Sequence, residues 1–139
     1  MSYSEQEKAN LLAVKDALAA SAHDFTKFFA EMFAEDAEWT IAGHGPVART
    51  YFGMEDLFTN AEEERFTRFA EPLRVEPKGI WADGDRVFAH IESATTAKDG
   101  KPYANSYMYI MSMKDGRVVS GIEWLDLNAY YEILDRVHV

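Results

Sequence analysis

Residues that can move protons cluster in two neighbouring stretches of the chain. His90 and Glu92 lie two apart in DRVFAHIESATT, and Asn105, Tyr107 and Tyr109 alternate in PYANSYMYIMSM. Both stretches read as β-strands, and alternate side chains of a strand share a face. Between them, Asp99-Gly100 suits a tight hairpin, because Gly, and Asp more than most residues, accepts positive φ. A two-residue turn pairs Lys98 with Lys101. Counting back from that pair, Ala94 faces Asn105, Glu92 faces Tyr107 and His90 faces Tyr109, all on one face of the sheet. His, Glu, Tyr and Asn on a concave face suit general acid–base work. A carboxylate in an apolar pocket has a raised pKa and can hold or take a proton near neutrality. The competing reading makes this the wet face of the sheet, with ordinary polar residues. Against it stands the Tyr103, Tyr107, Tyr109, Met111 stripe, which in water would be a large exposed apolar patch.

The next turn, Asp115-Gly116, leaves two registers open. A strict two-residue turn puts Trp124 and Asp126 on the same face as His90. A one-residue bulge puts Glu123 and Leu125 there instead, because a single slip flips every side chain. Elsewhere, His23 and His138 read as solvated, and His44 lies in the Gly43-His44-Gly45-Pro46 loop. No His, Asp or Glu spacing matches a metal site, and neither a phosphate-binding Gly motif nor a nucleophile elbow occurs.

The elements that must carry these residues are legible as patterns. Ser4-Glu5-Gln6-Glu7 is a capping box opening a first helix, with Leu11, Leu12 and Leu18 on its apolar side. Asp24 caps a second, in which Phe25, Phe28, Phe29, Met32 and Phe33 make one wide face. Glu38–Ala42 is a short strand. A third helix runs from about Met54 to Phe69, with Leu57, Phe58, Ala61, Phe66 and Phe69 inward and Glu62 to Glu64 on its wet side, and Pro72 ends it. Three Asp-Gly pairs then separate four strands, at about Leu73–Ala82, Asp85–Thr96, Pro102–Met113 and Arg117–Asp126. Asp126 caps a last helix bearing Leu127, Tyr130, Tyr131, Leu134 and Val137. Three helices gathered on one face of a strongly curved antiparallel sheet, followed by a short C-terminal helix, make an α+β two-layer fold over residues 1–139 as a single domain.

Composition narrows the function class. The 139 residues suit one domain, and the aromatic content of 14% is high. Acidic residues outnumber basic ones 24 to 14 and no basic run occurs, which argues against nucleic acid and anionic membranes as partners. The longest apolar runs are too short to span a bilayer. The absence of cysteine and the polar start MSYSEQEK, which is not a secretory signal, fit a cytoplasmic protein.

FAEDAEW at Phe33–Trp39, YFGMEDL at Tyr51–Leu57, GKPY at Gly100–Tyr103 and the DGRV…WLDL stretch ending at Leu127 together resemble the SnoaL-like branch of the NTF2-like superfamily. That group of cone-shaped folds includes ketosteroid isomerases, polyketide cyclases, scytalone dehydratases and limonene epoxide hydrolases. The resemblance covers nearly the whole chain and implies a pocketed cone, often dimeric. Aligned from the third strand without a gap, the catalytic Arg and Asp of limonene epoxide hydrolases fall on His90 and Glu92, and their second Asp on Glu123. This implies the bulged register. Their water-positioning Tyr and Asn fall on Trp39 and Ile41, and the general-base Asp of ketosteroid isomerases falls near Ile41, so neither catalytic set is complete. His90 resembles the pocket His of scytalone dehydratases.

The resulting expectation is a cofactor-independent acid–base enzyme of isomerase, dehydratase or cyclase type, acting on a hydrophobic cyclic small molecule. His90 and Glu92 form the acid–base pair, roughly 6–7 Å apart between Cα atoms. Glu123 is the second carboxylate, and Asn105 and Tyr107 donate to a developing oxyanion. Trp39, Ile41, Phe66, Phe69, Trp81 and Leu125 line the wall. The alternative is a binding protein of the same fold without catalysis. Either is compatible with a homodimer through the sheet's outer stripe of Ala104, Ser106, Met108, Ile110 and Ser112.

Overall fold

A computed structural model describes residues 2–139 of the chain. The first helix, α1 (Glu5–Ala20), opens on the expected capping box: the Glu7 amide donates to Ser4 Oγ at 3.1 Å and the Ser4 amide to Glu7 Oε1 at 2.7 Å. Its inward side is Asn10, Val14, Ala17 and Leu18, spaced i, i+4, i+7, i+8, whereas Leu12 is exposed. Helix α2 (Thr26–Met32) starts where Asp24 Oδ1 accepts from the Thr26 amide, and buries Phe28, Phe29 and Met32. Phe33, expected to end that helix, instead opens strand β1 (Phe33–Ile41), which is longer than the Glu38–Ala42 segment anticipated.

After β2 (Thr50–Phe52) comes one continuous helix, α3, made of Met54–Leu57, Phe58–Glu62 and Glu63–Phe66. Its middle segment is π-helical, with the Glu63 amide reaching back five residues to the Phe58 carbonyl. Strands β3 (Arg74–Asp83), β4 (Arg86–Thr96), β5 (Pro102–Lys114) and β6 (Arg117–Leu125) follow, then α4 (Leu127–Arg136), capped by Asp126.

The six strands form one sheet in the order β2-β1-β6-β5-β4-β3. It is mixed rather than purely antiparallel, because β1 runs parallel to β6. Bulges in three of the strand pairs bend it. Its inner face packs on the helices through a continuous set of rings, with Phe33 against Trp39 at 4.8 Å, Trp39 against Tyr109 at 5.1 Å and Phe25 against Tyr107 at 5.8 Å between centroids.

Two hairpins decide which side chains face inward. At Asp115-Gly116 both residues have positive φ, 52° and 77°, and Lys114 pairs with Arg117 in a two-residue type I′ turn. A bulge then follows within three residues, since Met113 pairs with Val118 but Ser112 with Ser120. The bulged register therefore holds, with Tyr109 opposite Glu123 and Tyr107 opposite Leu125. At Asp99-Gly100 the turn is one residue longer than a two-residue hairpin. Ala97 and Lys101 close a three-residue loop, with the Gly100 amide donating to the Ala97 carbonyl and Gly100 at φ 83°. The extra residue shifts β4 against β5, so Ala94 pairs with Ala104, Glu92 with Ser106 and His90 with Met108. Every β4 side chain lies on the face opposite to that expected.

Candidate active site

The shifted register removes His90 and Glu92 from the interior. Both stand on the outer face of the sheet, half exposed, with His90 Nε2 3.0 Å from Glu92 Oε1 and Ser106 Oγ donating to the other Glu92 oxygen. The Ser106 bond, and after it His90, holds the Glu92 carboxyl below its usual range. Trp81 is also outside, 49% exposed, with its ring lying over Gly79, where any Cβ would collide with it. Asn105 faces inward but is fully spent. Its Nδ2 donates to Tyr103 Oη and the Asp126 carbonyl, while its Oδ1 accepts from the amides of Ser106 and Asp126, tying β5 to the start of α4.

Trp39, Ile41, Tyr107 and Glu123 are buried together on the inner face. Glu123 pairs with Tyr109 across β5 and with Ile41 across β1. Trp39 Nε1 donates to Glu123 Oε1 at 2.8 Å. The indole fits there because its strand partner is Gly121, where a Cβ would come within 2.6 Å of the Trp39 ring and 2.2 Å of the Ile110 carbonyl oxygen. Leu125 is half-buried beside Tyr107. Phe69 is buried and Phe66 half-buried at the rim, where with Leu73 and Thr26 they line a cleft of about 300 Å³ beside α2. A second cleft of about 410 Å³, lined by Thr26, Phe29, Met54 and Phe58, lies between α2 and the start of α3.

The interior charges come from α3, whose sequence pattern predicts only an apolar side and a wet side. Glu62, expected on the wet side of α3, is buried with Arg65 in an ion pair, and Arg65 Nη1 donates to Tyr107 Oη at 2.9 Å. Ser93 Oγ donates to the same hydroxyl at 3.1 Å. Tyr130 on α4 donates to the Ala61 carbonyl, pinning the π-helical turn from behind. Arg65 could have been suspected: Leu57, Ala61, Arg65 and Phe69 repeat at i+4, which puts a guanidinium squarely in the apolar stripe. For Glu62 the pattern holds no such signal, since its inward placement depends on the π-helical turn.

Burial sets the protonation states. It pushes Glu123 up to about 8, assisted by the nearby Glu62 charge and opposed by Arg65 and the Trp39 bond, so this carboxyl keeps its proton at neutral pH. Burial also raises Glu62, against the pull of Arg65. For Arg65 burial works against the charge, but Glu62 and the surrounding tyrosines outweigh it, and the guanidinium stays ionised. Tyr109 is pushed well up by burial and by Glu123 and remains a phenol. Two buried polar atoms have no protein partner among the described residues, Tyr109 Oη and Arg65 Nε. Both are hydrogen-bond donors, and the Tyr109 hydroxyl lies close enough to Glu123 to lower its pKa. An interior with spare donors favours a guest that presents an acceptor oxygen.

Among the described residues, no group of three His, Asp or Glu side chains is placed to hold a metal ion, and no helix is long and apolar enough to cross a membrane. A curled sheet closing over helices around a buried polar cluster defines the NTF2-like cone class. Within it, residues 14–121 match the SnoaL-like domain, and the chain belongs to that family. Among solved structures, Bal32a from a soil-derived mobile gene cassette is similar at TM-score 0.74 and 23% identity, covering 94% of this chain and 99% of Bal32a. A Jannaschia sp. CCS1 protein named for the SnoaL-like polyketide cyclases matches at TM-score 0.71 and 16% identity, covering 99% of both chains. An LEH-like epoxide hydrolase of M. tuberculosis matches at TM-score 0.66 and 16% identity, covering 96% of this chain and 90% of its own. At these identities the shared property is the fold. No curated protein matches the chain.

Proposed function

We propose that the chain takes a hydrophobic cyclic molecule into the cone and moves a proton on it, with Glu123 as the acid–base group. The observation that carries this reading is a buried carboxyl, protonated near neutrality, with the Tyr109 hydroxyl close enough to lower its pKa though not in full hydrogen-bond geometry. Glu123 gives its proton to a ring oxygen and, as carboxylate, takes one back from carbon, which is the pattern of isomerisation, dehydration or aldol-type cyclisation. Tyr109 donates to the same oxygen as charge builds on it. Arg65, neutralised by Glu62, holds Tyr107 in place and supplies the remaining donor. The guest reaches this point through the clefts flanking α2, displacing the rings of Phe29 and Phe66.

A second reading, binding without turnover, is favoured by the rings that fill the inner face and by Asn105, whose donors and acceptors are all spent. The two are separated by titrating the protein with a panel of cyclic ketones, enols and epoxides while following both binding and product. Turnover that drops about 100-fold or more in Glu123→Gln, with binding kept, supports the catalytic reading. Saturable binding with no product from any class supports the second, and no binding at all overturns both.

A further inference from the structure

The spare donors of the interior stand in two places. Tyr109 Oη lies by Glu123, its cross-strand partner on β6. Arg65 stands on α3, 1% exposed, and its three nitrogens are unequally served. Nη2 donates to Glu62 and Nη1 to Tyr107, while Nε has no acceptor among the described residues. A buried donor of a charged group is costly to leave unanswered, so one that persists calls for an occupant. Tyr107 shows how the two places are related. Its ring centroid is 5.8 Å from that of Tyr109, and its hydroxyl takes the Arg65 bond at 2.9 Å. That hydroxyl is also 3.1 Å from Ser93 Oγ, and Ser93 pairs with Asn105, so the phenol leans towards the Asn105 end of β5, away from Tyr109. The two donors therefore face different parts of the interior, and a single oxygen does not serve both.

The way in and the charge along it complete the picture. Arg65 Cζ lies 4.9 Å from the centroid of the Phe66 ring, and Phe66 lines the cleft of about 300 Å³ beside α2. One ring thus separates the guanidinium from the cleft. The charged residues lining that cleft, Asp24 and Glu71, are both acidic. Asp24 is spent on capping α2, and Glu71 meets only the exposed Arg74, at 3.5 Å. Inside, the Arg65 charge is already answered by Glu62. An anion would pass two carboxylates to reach a cation that is taken. We infer, on the footing that Glu123 is the acid–base group, that the guest is neutral and carries two acceptor oxygens at opposite ends, the inner one received by Glu123 and Tyr109 and the outer one by Arg65 Nε once Phe66 has swung aside. Arg65 is then the residue that selects the second oxygen.

Three decalin probes of equal skeleton test this: a diketone with its oxygens on opposite rings, the matched monoketone and the matched carboxylate. Titration calorimetry on the wild type near neutral pH should rank them in that order. The diketone should bind about 10-fold or more tighter than the monoketone, the gain expected of one hydrogen bond from a charged donor. The NMR signal of the Arg65 Nε–H should move on adding the diketone and hold still with the monoketone. Arg65→Lys keeps a cation for Glu62 but has no such N–H, and there the diketone's advantage should fall to within about twofold, with circular dichroism checking the fold. The wild-type ranking and the N–H signal decide the matter even if that variant does not fold. Equal affinity of the two ketones, an unmoved N–H signal or a carboxylate that binds best overturns the two-oxygen guest alone. Exchange of the ketones' α-hydrogens with deuterated water, lost in Glu123→Gln, reports the Glu123 chemistry separately, and its absence overturns that footing instead.

Discussion

Glu92 and Glu123 stand on opposite faces of the same sheet, and each accepts a hydrogen bond from a neutral donor. Glu92, half exposed and bonded to Ser106 and His90, sits below the normal carboxylate range. Glu123, bonded to Trp39 but sealed from water, rises to about 8. The hydrogen bonds are of similar kind, so burial decides the sign. The face of a strand on which a carboxylate falls matters more for its chemistry than its nearest neighbour does. The two faces also treat charge differently: inside, every ion must be answered by another, while outside water answers for it.

The strongest way to break this contrast is to strand an interior charge. Arg65→Met leaves Glu62 buried without its partner and should cost about 3–5 kcal/mol in urea unfolding, whereas adding Glu62→Leu in the same chain should recover most of that loss. If the single variant is as stable as the wild type, the interior is wetter than its burial indicates. The next effect is in pH. Glu123 has a folded-state pKa near 8, above the ordinary value of 4.5, so the folded state binds more protons than the unfolded state between those limits. Stability contributed by this group is therefore fully present below about pH 4.5 and declines as pH rises to 8, by up to about 1.4 kcal/mol per unit. Glu123→Gln should flatten that decline when unfolding is followed from pH 5 to 8.5, and an unchanged slope would place the titration elsewhere. The smallest effect belongs to the outer face. Glu92→Gln should change stability by less than about 1 kcal/mol, as expected for a half-exposed pair, and leave any turnover unchanged. A large loss of turnover there would return the site to His90 and Glu92.

Much of the architecture was legible because its signals are local. The capping box at Ser4, the Asp-Gly turns and the aromatic stripe of α2 each depend on a few adjacent residues. The site was harder because it depends on counting across a loop. The stretch from Ala97 to Lys101 contains the dipeptide expected of a two-residue turn, yet Gly100 takes the positive φ of a three-residue loop, and that one residue exchanges the two faces of β4. The bulge after Asp115-Gly116 was equally ambiguous in pattern, and the family resemblance, not the residues, pointed to Glu123 facing inward. The same resemblance, taken without a gap through β4, pointed wrongly to His90 and Glu92. The inward β4 positions are Ala89, Ile91 and Ser93, and the interior charge is supplied from α3 instead. Parallel pairing of β1 with β6 left no trace, since nothing near either strand names so distant a partner.

That distant pairing has a consequence for how the molecule comes together. Trp39 and Glu123 are separated by 84 positions, and β1 has only the three-residue β2 as a neighbour until β6 arrives beside it. On a ribosome, the N-terminal third therefore emerges with one long edge of its strand open and its indole without a partner. Closing so large a loop is entropically slow compared with forming the β3–β6 meander, which pairs neighbours in sequence. The meander should assemble first as a template, with the helical N-terminal segment captured last. On that route the Trp39–Glu123 bond marks completion of folding, and chains interrupted before Arg117 are left with a sticky, half-made sheet.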